Sequence, residues 1–391
     1  MKNSILNYLL DNNPNKTISK NGIKIRKIIN PLFRQVMMLF TKGKLKIVRK
    51  GIVPKNQKII FAGTHGFHDD IIFTMKIANK HSYLLYGSLM DFYNSFHGLG
   101  LWVNGVILVD RKEKESRKSC IDKMVQVLNY DTNIVMFPEG TWNKNESLPV
   151  QKLYPGIYDV AEKTGALVVP IATVLDGNIC YALEGDAYDI KDINYYMAKE
   201  ILQKQIKKIN KSIDLFVYNN ILENELKYEL EFLLENISNK INQCNDKDNV
   251  LDLINFISNE LKLILQKLNS LKKIMDKDSI NYSILNRVSK LLKTSIDQKK
   301  LTAVDYLRDK MASLKWQVYK KHDGNFEENY WKKYIEELIK STKGLYDYEI
   351  EYVAEYKDPD EISENQVFEV LDKVQITKDN AKILSLTRNK N

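Results

Sequence analysis

Short apolar runs alternate with amphipathic stretches between residues 45 and 183. The apolar runs are rich in Val, Ile and Tyr, and most end in Gly, Pro or Asp, which is typical of β-strands. Helical periodicity falls between them, as in Arg117–Leu128 and Tyr154–Thr164. This alternation predicts an α/β fold in which helices pack on the faces of a β-sheet. The predicted strands are Leu45–Val48, Ile59–Ala62, Tyr83–Tyr86, Val106–Val109, Ile134–Phe137, Leu167–Ile171 and Ile179–Leu183.

The region after residue 186 has a different pattern, because Asp186 to Asp323 contains neither Gly nor Pro. The absence of both helix-breaking residues over such a length predicts long helices. Polar clusters at Asn242–Asn249 and Asp276–Ser279 predict breaks, so we expect two or three long helices between about residues 195 and 297. Apolar residues spaced by three and four form coiled-coil seams, which more often pack against each other than present a partner-binding surface. The seams are Leu202, Ile206, Ile209, Ile213 and Phe216; Leu226, Leu230, Leu233 and Ile237; and Val250, Ile254, Ile257, Leu261, Ile264, Leu268, Leu271 and Met275.

The N-terminal segment divides into a polar part and a basic amphipathic part. Residues 1–23 are rich in Asn and Lys and predict a loosely held leader, with an apolar stretch too short for a secretory signal. Ile23–Phe40 mixes Lys and Arg with bulky apolar residues, and Pro31 is expected to start or kink a helix there. Such a helix either lies in a membrane interface or covers the sheet of its own domain.

Composition narrows the classes of function. The chain has 391 residues, 44% of them hydrophobic, which is enough for two or three domains with buried cores. The net charge of +9 comes from Lys scattered along the whole chain, so we expect no nucleic-acid partner. Three widely spaced cysteines indicate neither a disulfide framework nor a thiolate zinc site, and they suit a reducing cytosol. There is no apolar run of about 18 residues that would predict a membrane-spanning helix.

Candidate chemistry begins with His65 and Asp70, which four residues separate. His65 lies in the turn that follows the strand Ile59–Ala62. Asp70 lies where the next helix would start, which is a favourable place for a carboxylate. A carboxylate this close can fix the tautomer of the imidazole and leave its outer nitrogen free to accept a proton. Were the His-Asp pair isolated, the alternative would be a structural role, in which His65 is only a polar residue that caps the turn.

Later motifs follow this pair in order, each beside an apolar run. Gly105–Arg111 is a strand that ends in an Asp-Arg pair, Phe137–Thr141 has the sequence Phe-Pro-Glu-Gly-Thr, and Val169–Ile171 has the sequence Val-Pro-Ile at a predicted strand end. In the second motif, Gly140 allows backbone amides to approach a ligand closely. Together with the His-Asp pair, these motifs make a specific pattern.

The ordered motifs resemble those of the glycerolipid acyltransferase family, which includes 1-acylglycerol-3-phosphate acyltransferases. The resemblance covers roughly Lys24 to Asp186 and resumes more weakly near Leu301. It implies a mixed β-sheet flanked by helices, and direct transfer of an acyl group without an acyl-enzyme intermediate. His65 would be the general base and Asp70 would orient it.

The same resemblance implies the ligands and their contacts. The co-substrate would be an acyl-CoA or acyl carrier protein thioester, the acceptor would be lysophospholipid-like, and no metal or cofactor would be needed. Arg111 would meet the acceptor's phosphate, Glu139, Gly140, Thr141 and Trp142 would form a substrate-binding loop, and Pro170 would line the acyl or donor side. The expected location is cytoplasmic, peripheral on the inner face of the cell membrane, with the basic helix in contact with lipid.

One position departs from the family pattern. The family has Arg immediately after the Thr of the Phe-Pro-Glu-Gly-Thr motif, whereas this chain has Trp142. Either a nearby lysine (Lys112, Lys114 or Lys144) supplies the missing charge, or the natural acceptor lacks a glycerol-3-phosphate head. A packing role for Trp142 on the domain surface is an equal alternative.

The predicted organisation is a leader and basic amphipathic helix (1–40), an acyltransferase α/β domain (41–194), a helical coiled-coil insertion (195–297), a return to the acyltransferase domain through closing helices (298–345) and a C-terminal tail (346–391). Two other functions compete. A non-catalytic acyltransferase-like scaffold would bind a protein partner, or self-associate, through the insertion. An HD-type metal phosphohydrolase would use His65, His68 and Asp69, although its first His normally comes from a different helix.

Overall fold

The computed structural model describes residues 2–89, 92, 96–143, 149–193, 195–218, 224–244 and 250–321. Two compact units are present: the first combines Met1–Asp189 with the chain from Arg308 onward, and the second is Ile190–Leu307. The second unit extends beyond the predicted insertion (195–297) at both ends. The closing helices beyond residue 321 and the tail at 346–391 lie outside the described residues.

The first unit is built on a mixed seven-stranded sheet with the order β1-β7-β6-β2-β5-β3-β4. All neighbouring strands are parallel except β6 and β7, which are antiparallel. Every predicted strand is present, with ends that differ by a few residues. The strands are β1 (Lys44–Arg49), β2 (Ile59–Gly63), β3 (Ser82–Tyr86), β4 (Val106–Leu108), β5 (Asn133–Met136), β6 (Leu167–Asp176) and β7 (Ile179–Glu184).

Helices flank this sheet, and its central strands are buried because apolar residues point to both faces. Ile59, Phe61 and Val135 are fully buried. In β2 and β5, Ala62 lies opposite Met136, so the loops that follow these two strands leave the sheet side by side. The helices of this part of the chain are α1 (Lys2–Leu10), α2 (Pro14–Thr17), α3 (Lys20–Met38), α4 (Asp70–Ala78), α5 (Phe96–Asn104), α6 (Lys114–Asn129) and α7 (Gly156–Thr164).

The polar N-terminal residues are not a loosely held leader, and that expectation is wrong. Leu9 and Ile18 are buried. The Lys123 ammonium donates to the carbonyl of Leu9 at 2.9 Å, and the Ser119 hydroxyl donates to the carbonyl of Asn12 at 2.8 Å. Composition misled the prediction because polar side chains of α6 donate hydrogen bonds to backbone carbonyls of this segment.

Helix α3 begins earlier than expected. Ser19 caps it by accepting a hydrogen bond from the Gly22 N–H, and Pro31 lies inside the helix and does not start it. No helix in the described part of the chain is long and apolar enough to cross a membrane.

Four long helices lie within residues 195–295 of the second unit, as far as the structure describes them, so the prediction of two or three is wrong. They are α8 (Tyr195–Tyr218), α9 (Asn224–Gln243), α10 (Val250–Ile274) and α11 (Ile280–Ser295). Helix α9 ends at Gln243, inside the first predicted break, and the second predicted break at residues 276–279 lies between α10 and α11. Residues 219–223, between α8 and α9, lie outside the described residues. The seam of α10 packs into a core shared by all four helices, where Ile257, Leu261, Ile264 and Leu268 are fully buried.

One more helix, α12 (Gln298–Lys321), follows the bundle. The boundary between the units at Arg308 falls within it. Its later residues Leu314 and Val318 pack against β6 and β7, in a cluster with Val174 and Leu183. The sheet of the first unit is therefore covered in part by a helix that comes from beyond the bundle.

Candidate active site

His65 and Asp70 meet at the carboxyl end of β2. The strand ends at Gly63, the chain turns through residues 64–69, and Asp70 is the first residue of α4. The His65 Nδ1 lies 3.1 Å from Oδ1 and 3.0 Å from Oδ2 of Asp70. The turn is closed by the same carboxylate, since the N–H groups of Gly66 and Phe67 donate to Oδ2 at 2.7 and 3.1 Å. The structure therefore brings the predicted pair together.

This arrangement defines the tautomer of the imidazole. Asp70 is fully buried, and its carboxylate accepts a hydrogen bond from Nδ1–H of His65. Nε2 is then the nitrogen with a lone pair. Within the described residues Nε2 has no hydrogen-bond partner, and the His65 side chain is 14% exposed. A neutral imidazole held in this way can accept a proton from a hydroxyl group.

Glu139, which follows β5, holds the backbone of His65. Its Oε1 accepts the N–H of His65 at 2.9 Å, and its Oε2 accepts the N–H of Gln151 at 2.8 Å. The residue is 2% exposed. Burial raises the pKa of this carboxyl group, whereas the positive charge of Lys315 and the two backbone donors lower that pKa. Because both oxygens already bind the protein, Glu139 positions the loop that carries His65.

The rest of the Phe-Pro-Glu-Gly-Thr loop surrounds the imidazole. The ring of Phe137 lies 4.6 Å from that of His65 between centroids, and the Asn143 N–H donates to the carbonyl of His65. Gly140 has a positive φ of 70°, and a side chain there would collide with the ring of Tyr154. Glycine is thus needed at this turn for both backbone conformation and space. Thr141 is exposed beside Trp142.

Trp142 stands edge-on to the candidate base. Its ring centroid lies 5.9 Å from that of His65 and 6.4 Å from that of His68, and 41% of its surface is exposed. His68 forms a separate pair with Asp69 at 2.8 Å. Among the described residues, no group of three or more His, Cys, Asp or Glu side chains is arranged to hold a metal ion.

Arg111, another predicted site residue, follows the edge strand β4, which β5 and β3 separate from β2. Arg111 is exposed after β4, with its guanidinium packed against Gly87 at the end of β3; a Cβ on Gly87 would lie 2.4 Å from Arg111 Nε. Lys112 and Lys114 are exposed in the same segment, and Lys144 lies outside the described residues.

Pro170 is inside a strand, so the expectation that it lies at a strand end is wrong. β6 continues to Asp176, and Pro170 is opposite Ala62 in the register with β2. Pairing with β7 starts at Ile171, and next to it the Gly185 N–H donates to the carbonyl of Pro170. Proline is tolerated because the antiparallel ladder begins just after it.

Sequence reasoning missed Lys315. This lysine of α12 is 7% exposed, and its charge acts on both Glu139 and Asp70. Burial lowers its pKa and the two carboxylates raise it. No motif or spacing marked it, since it lies far along the chain from every other residue of the site.

An apolar groove runs beside α4, the helix that begins with Asp70. It is lined by residues of α3, α4 and α5, mostly large and apolar. The lining residues are Phe33, Arg34, Met37, Ile71, Ile72, Met75 and Leu101.

Comparison with known proteins finds similarity to acyltransferases. The family model described as Acyltransferase matches residues 44–174. A 1-acyl-sn-glycerol-3-phosphate acyltransferase of Borreliella burgdorferi is 32% identical over 130 residues, which are 32% of this chain and 50% of that protein. The enzyme of the same name from Haemophilus influenzae is 27% identical over 124 residues, covering 30% of this chain and 50% of that protein.

Two further matches are shorter or more distant. A human 1-acyl-sn-glycerol-3-phosphate acyltransferase alpha is 37% identical over 76 residues, which are 19% of this chain and 26% of that protein. The crystal structure of the 1-acyl-sn-glycerophosphate (LPA) acyltransferase PlsC from Thermotoga maritima aligns at 14% identity and a TM-score of 0.34, covering 44% of this chain and 70% of that one. The chain spans about half the length of the bacterial relatives that it matches. Residues 44–174, which contain the His-Asp pair and the loops around it, therefore match the Acyltransferase family model and are similar to 1-acyl-sn-glycerol-3-phosphate acyltransferases.

Proposed function

We propose that this protein is an O-acyltransferase that moves a fatty acyl group from a thioester to a hydroxyl of a lysophospholipid-like acceptor. The observation that carries the proposal is the pair of contacts between His65 Nδ1 and the buried Asp70 carboxylate. They leave Nε2 as the proton acceptor on a side chain that is still partly exposed.

The reaction follows from this arrangement. Nε2 of His65 takes the proton of the acceptor hydroxyl as its oxygen attacks the thioester carbonyl carbon. Asp70 stabilises the imidazolium that forms. The tetrahedral intermediate then collapses, the C–S bond breaks, and the thiolate leaves with the proton returned by His65. The products are an ester and a free thiol, so no acyl-enzyme intermediate is required.

Both substrates are assigned by chemical class. The donor is acyl-CoA or acyl carrier protein, and no cofactor or metal takes part in the step. Arg111 is the candidate for the acceptor's phosphate, since a guanidinium binds such groups with two parallel hydrogen bonds. Trp142 next to His65 favours an acceptor with an apolar or ring-shaped portion near the reacting hydroxyl.

The acceptor and product are amphiphilic, and we assign the protein to the cytoplasmic face of the cell membrane as a peripheral protein. An exposed apolar stripe on α3 supports this location: Ile28 is 80% exposed and Leu32 is 68% exposed. Lys20, Lys24 and Lys27 are on the same helix, and basic residues next to an apolar face favour an anionic interface. The apolar groove beside α4 also includes Phe33 and Met37 of this helix.

The test is a thiol-release assay with purified protein, long-chain acyl-CoA or acyl carrier protein, and lysophosphatidate or other lysophospholipids. The wild type should release thiol and form a diacyl lipid, which mass spectrometry identifies, and the His65→Ala variant should release none above background. Equal thiol release by the two proteins, with no new lipid in a panel of lysolipid, sugar and polyol acceptors, would refute the proposal.

A further inference from the structure

The candidate active site contains two buried carboxylates. Asp70 is fully buried and Glu139 is 2% exposed. Each accepts hydrogen bonds from backbone N–H groups: Asp70 from Gly66, and Glu139 from His65 and Gln151. Apart from the contact of Asp70 with His65, no ion pair within 4 Å involves either carboxylate in the described part of the chain. A buried negative charge without compensation is strongly unfavourable.

Lys315 is a buried lysine whose charge acts on both carboxylates. It lies on the part of α12 that belongs to the first unit, next to Leu314, which packs against β6 and β7. A Cβ on Gly185 would meet Pro170 and Leu314 together, which places this turn of α12 over the strand adjacent to β2. Lys315 is itself buried, and the charges that act on it are those of Glu139, the stronger, and Asp70.

We propose that Lys315 is a positioning residue of the acyltransferase centre, whose buried ammonium balances Glu139 and Asp70 and so keeps His65 in its reactive position. The expected effect of Lys315 on the reaction rate rests on the proposed function, whereas the charge balance does not. It assigns a role in the site to a helix beyond the helical bundle, although the family match ends at residue 174.

The mechanism of this support runs through Glu139. An ionised Glu139 accepts the N–H groups of His65 and Gln151 with separate oxygens. A protonated Glu139 would have an O–H on one oxygen, and that oxygen would be a weaker acceptor for its backbone N–H. The charges that act on Glu139 are those of Lys315 on α12 and of His65 after β2; burial raises its pKa and Lys315 opposes that rise.

Kinetics of matched variants test the proposal. Lys315→Met removes the charge and keeps much of the side-chain volume, Lys315→Arg keeps the charge, and Lys310→Met is the control on the same helix, where Lys310 lies over the Tyr188 ring. We expect kcat of Lys315→Met to fall about ten-fold or more, with acceptor KM changed about two-fold or less. The pH below which kcat of this variant falls, its acidic pH limit, should be higher than in the wild type, because Glu139 then protonates more easily. Lys315→Arg should keep the wild-type limit, and Lys310→Met should match the wild type.

A second measurement needs no acyl-transfer activity. Urea unfolding of wild type, Lys315→Met, Glu139→Gln and the double variant forms a thermodynamic cycle. If Lys315 balances Glu139, the double variant should be more stable than the sum of the single effects predicts, by about ten-fold in the unfolding equilibrium constant.

The two measurements separate the two hypotheses. If no acceptor is acylated by the wild type but the cycle shows coupling, the proposed function fails and the charge balance stands. If Lys315→Met keeps the wild-type kcat and pH limit, or if the cycle is additive, the role of Lys315 is overturned whatever the reaction is.

Discussion

Glu139 and His65 are joined by a hydrogen bond between a side chain and a backbone N–H, 2.9 Å long, that links the loops after β5 and β2. The same carboxylate accepts the N–H of Gln151 through its other oxygen. The Phe-Pro-Glu-Gly-Thr motif thus places its acid against the protein backbone, and the imidazole depends on a neighbouring strand for its position.

Glu139→Gln should therefore be both less stable and less active. A glutamine offers one accepting oxygen, so one of the two backbone N–H groups faces an amide NH2 and stays unpaired. We expect a loss of about 1–3 kcal/mol in the free energy of unfolding, measured with urea. Gln151→Ala keeps its own backbone N–H and should lose less. Equal losses in the two variants would contradict this role.

Asp70→Asn should abolish most of the catalytic effect of His65. The amide cannot stabilise an imidazolium as a carboxylate does, and kcat should fall about 100-fold or more. Asp69→Asn is the control, because Asp69 contacts His68 and the N–H of Lys42 instead of His65. Its kcat should remain within a few-fold of wild type. A larger effect at Asp69 would move the catalytic pair to His68.

Trp142→Arg should change acceptor preference. It places a cation beside His65, where the family pattern has one, and should raise kcat/KM for phosphate-bearing acceptors relative to neutral ones, by about ten-fold. Trp142→Phe keeps an aromatic ring and should leave that ratio unchanged. Since Trp142 is 41% exposed, thermal stability should hardly change in either variant. An unchanged ratio in Trp142→Arg would show that this side chain does not face the acceptor.

The apolar stripe of α3 should bind lipid. The double variant Ile28→Glu and Leu32→Glu introduces two charges at exposed positions, so folding should be unaffected and binding to anionic phospholipid vesicles should weaken about ten-fold or more. The control is Ile52→Glu, at a position that is also 80% exposed but outside α3. Co-sedimentation with vesicles measures both. Equal binding by all three proteins would rule out the stripe as the contact surface.

His81 should make the protein less stable in acid. Burial lowers its pKa from 6.5 to about 4; the hydrogen bond to the Asn104 carbonyl opposes this, and the charges of Lys27, Arg26 and Arg34 add to it. Between these values the unfolded chain binds a proton that the folded chain does not, so stability falls as pH falls from about 6.5 towards about 4. The loss is at most about 3 kcal/mol.

Urea unfolding at several pH values measures this loss. His81→Gln can still donate to the Asn104 carbonyl and does not titrate. It should therefore show a flatter pH dependence over the same range. An identical dependence in the two proteins would assign the acid sensitivity to other groups.

The sequence predicted the parts of the site that are local in the chain. His65 and Asp70 are separated by one turn, so strand, turn and helix start could be read directly from spacing. Each predicted strand was found because its apolar run was bounded by turn residues. The burial of Glu139 under backbone donors could not be read, because it depends on how the loops after β2 and β5 meet.

Other features depended on distant packing. Lys315 reaches the site only because α12 returns to the sheet after the bundle. The strand that contains Pro170 was predicted to end at Ile171, whereas β6 continues to Asp176 and pairs with β7. The leader was predicted to be loose from its polarity, yet Lys123 and Ser119 bind its backbone.

The position of α12 also sets an order of events during synthesis. Val174, Tyr181 and Leu183 on β6 and β7 are covered by Leu314 and Val318, which leave the ribosome only after the whole four-helix bundle. Until then this apolar face of the nascent sheet stays open to water or to a chaperone. The first unit can therefore complete its folding only after the bundle has been translated.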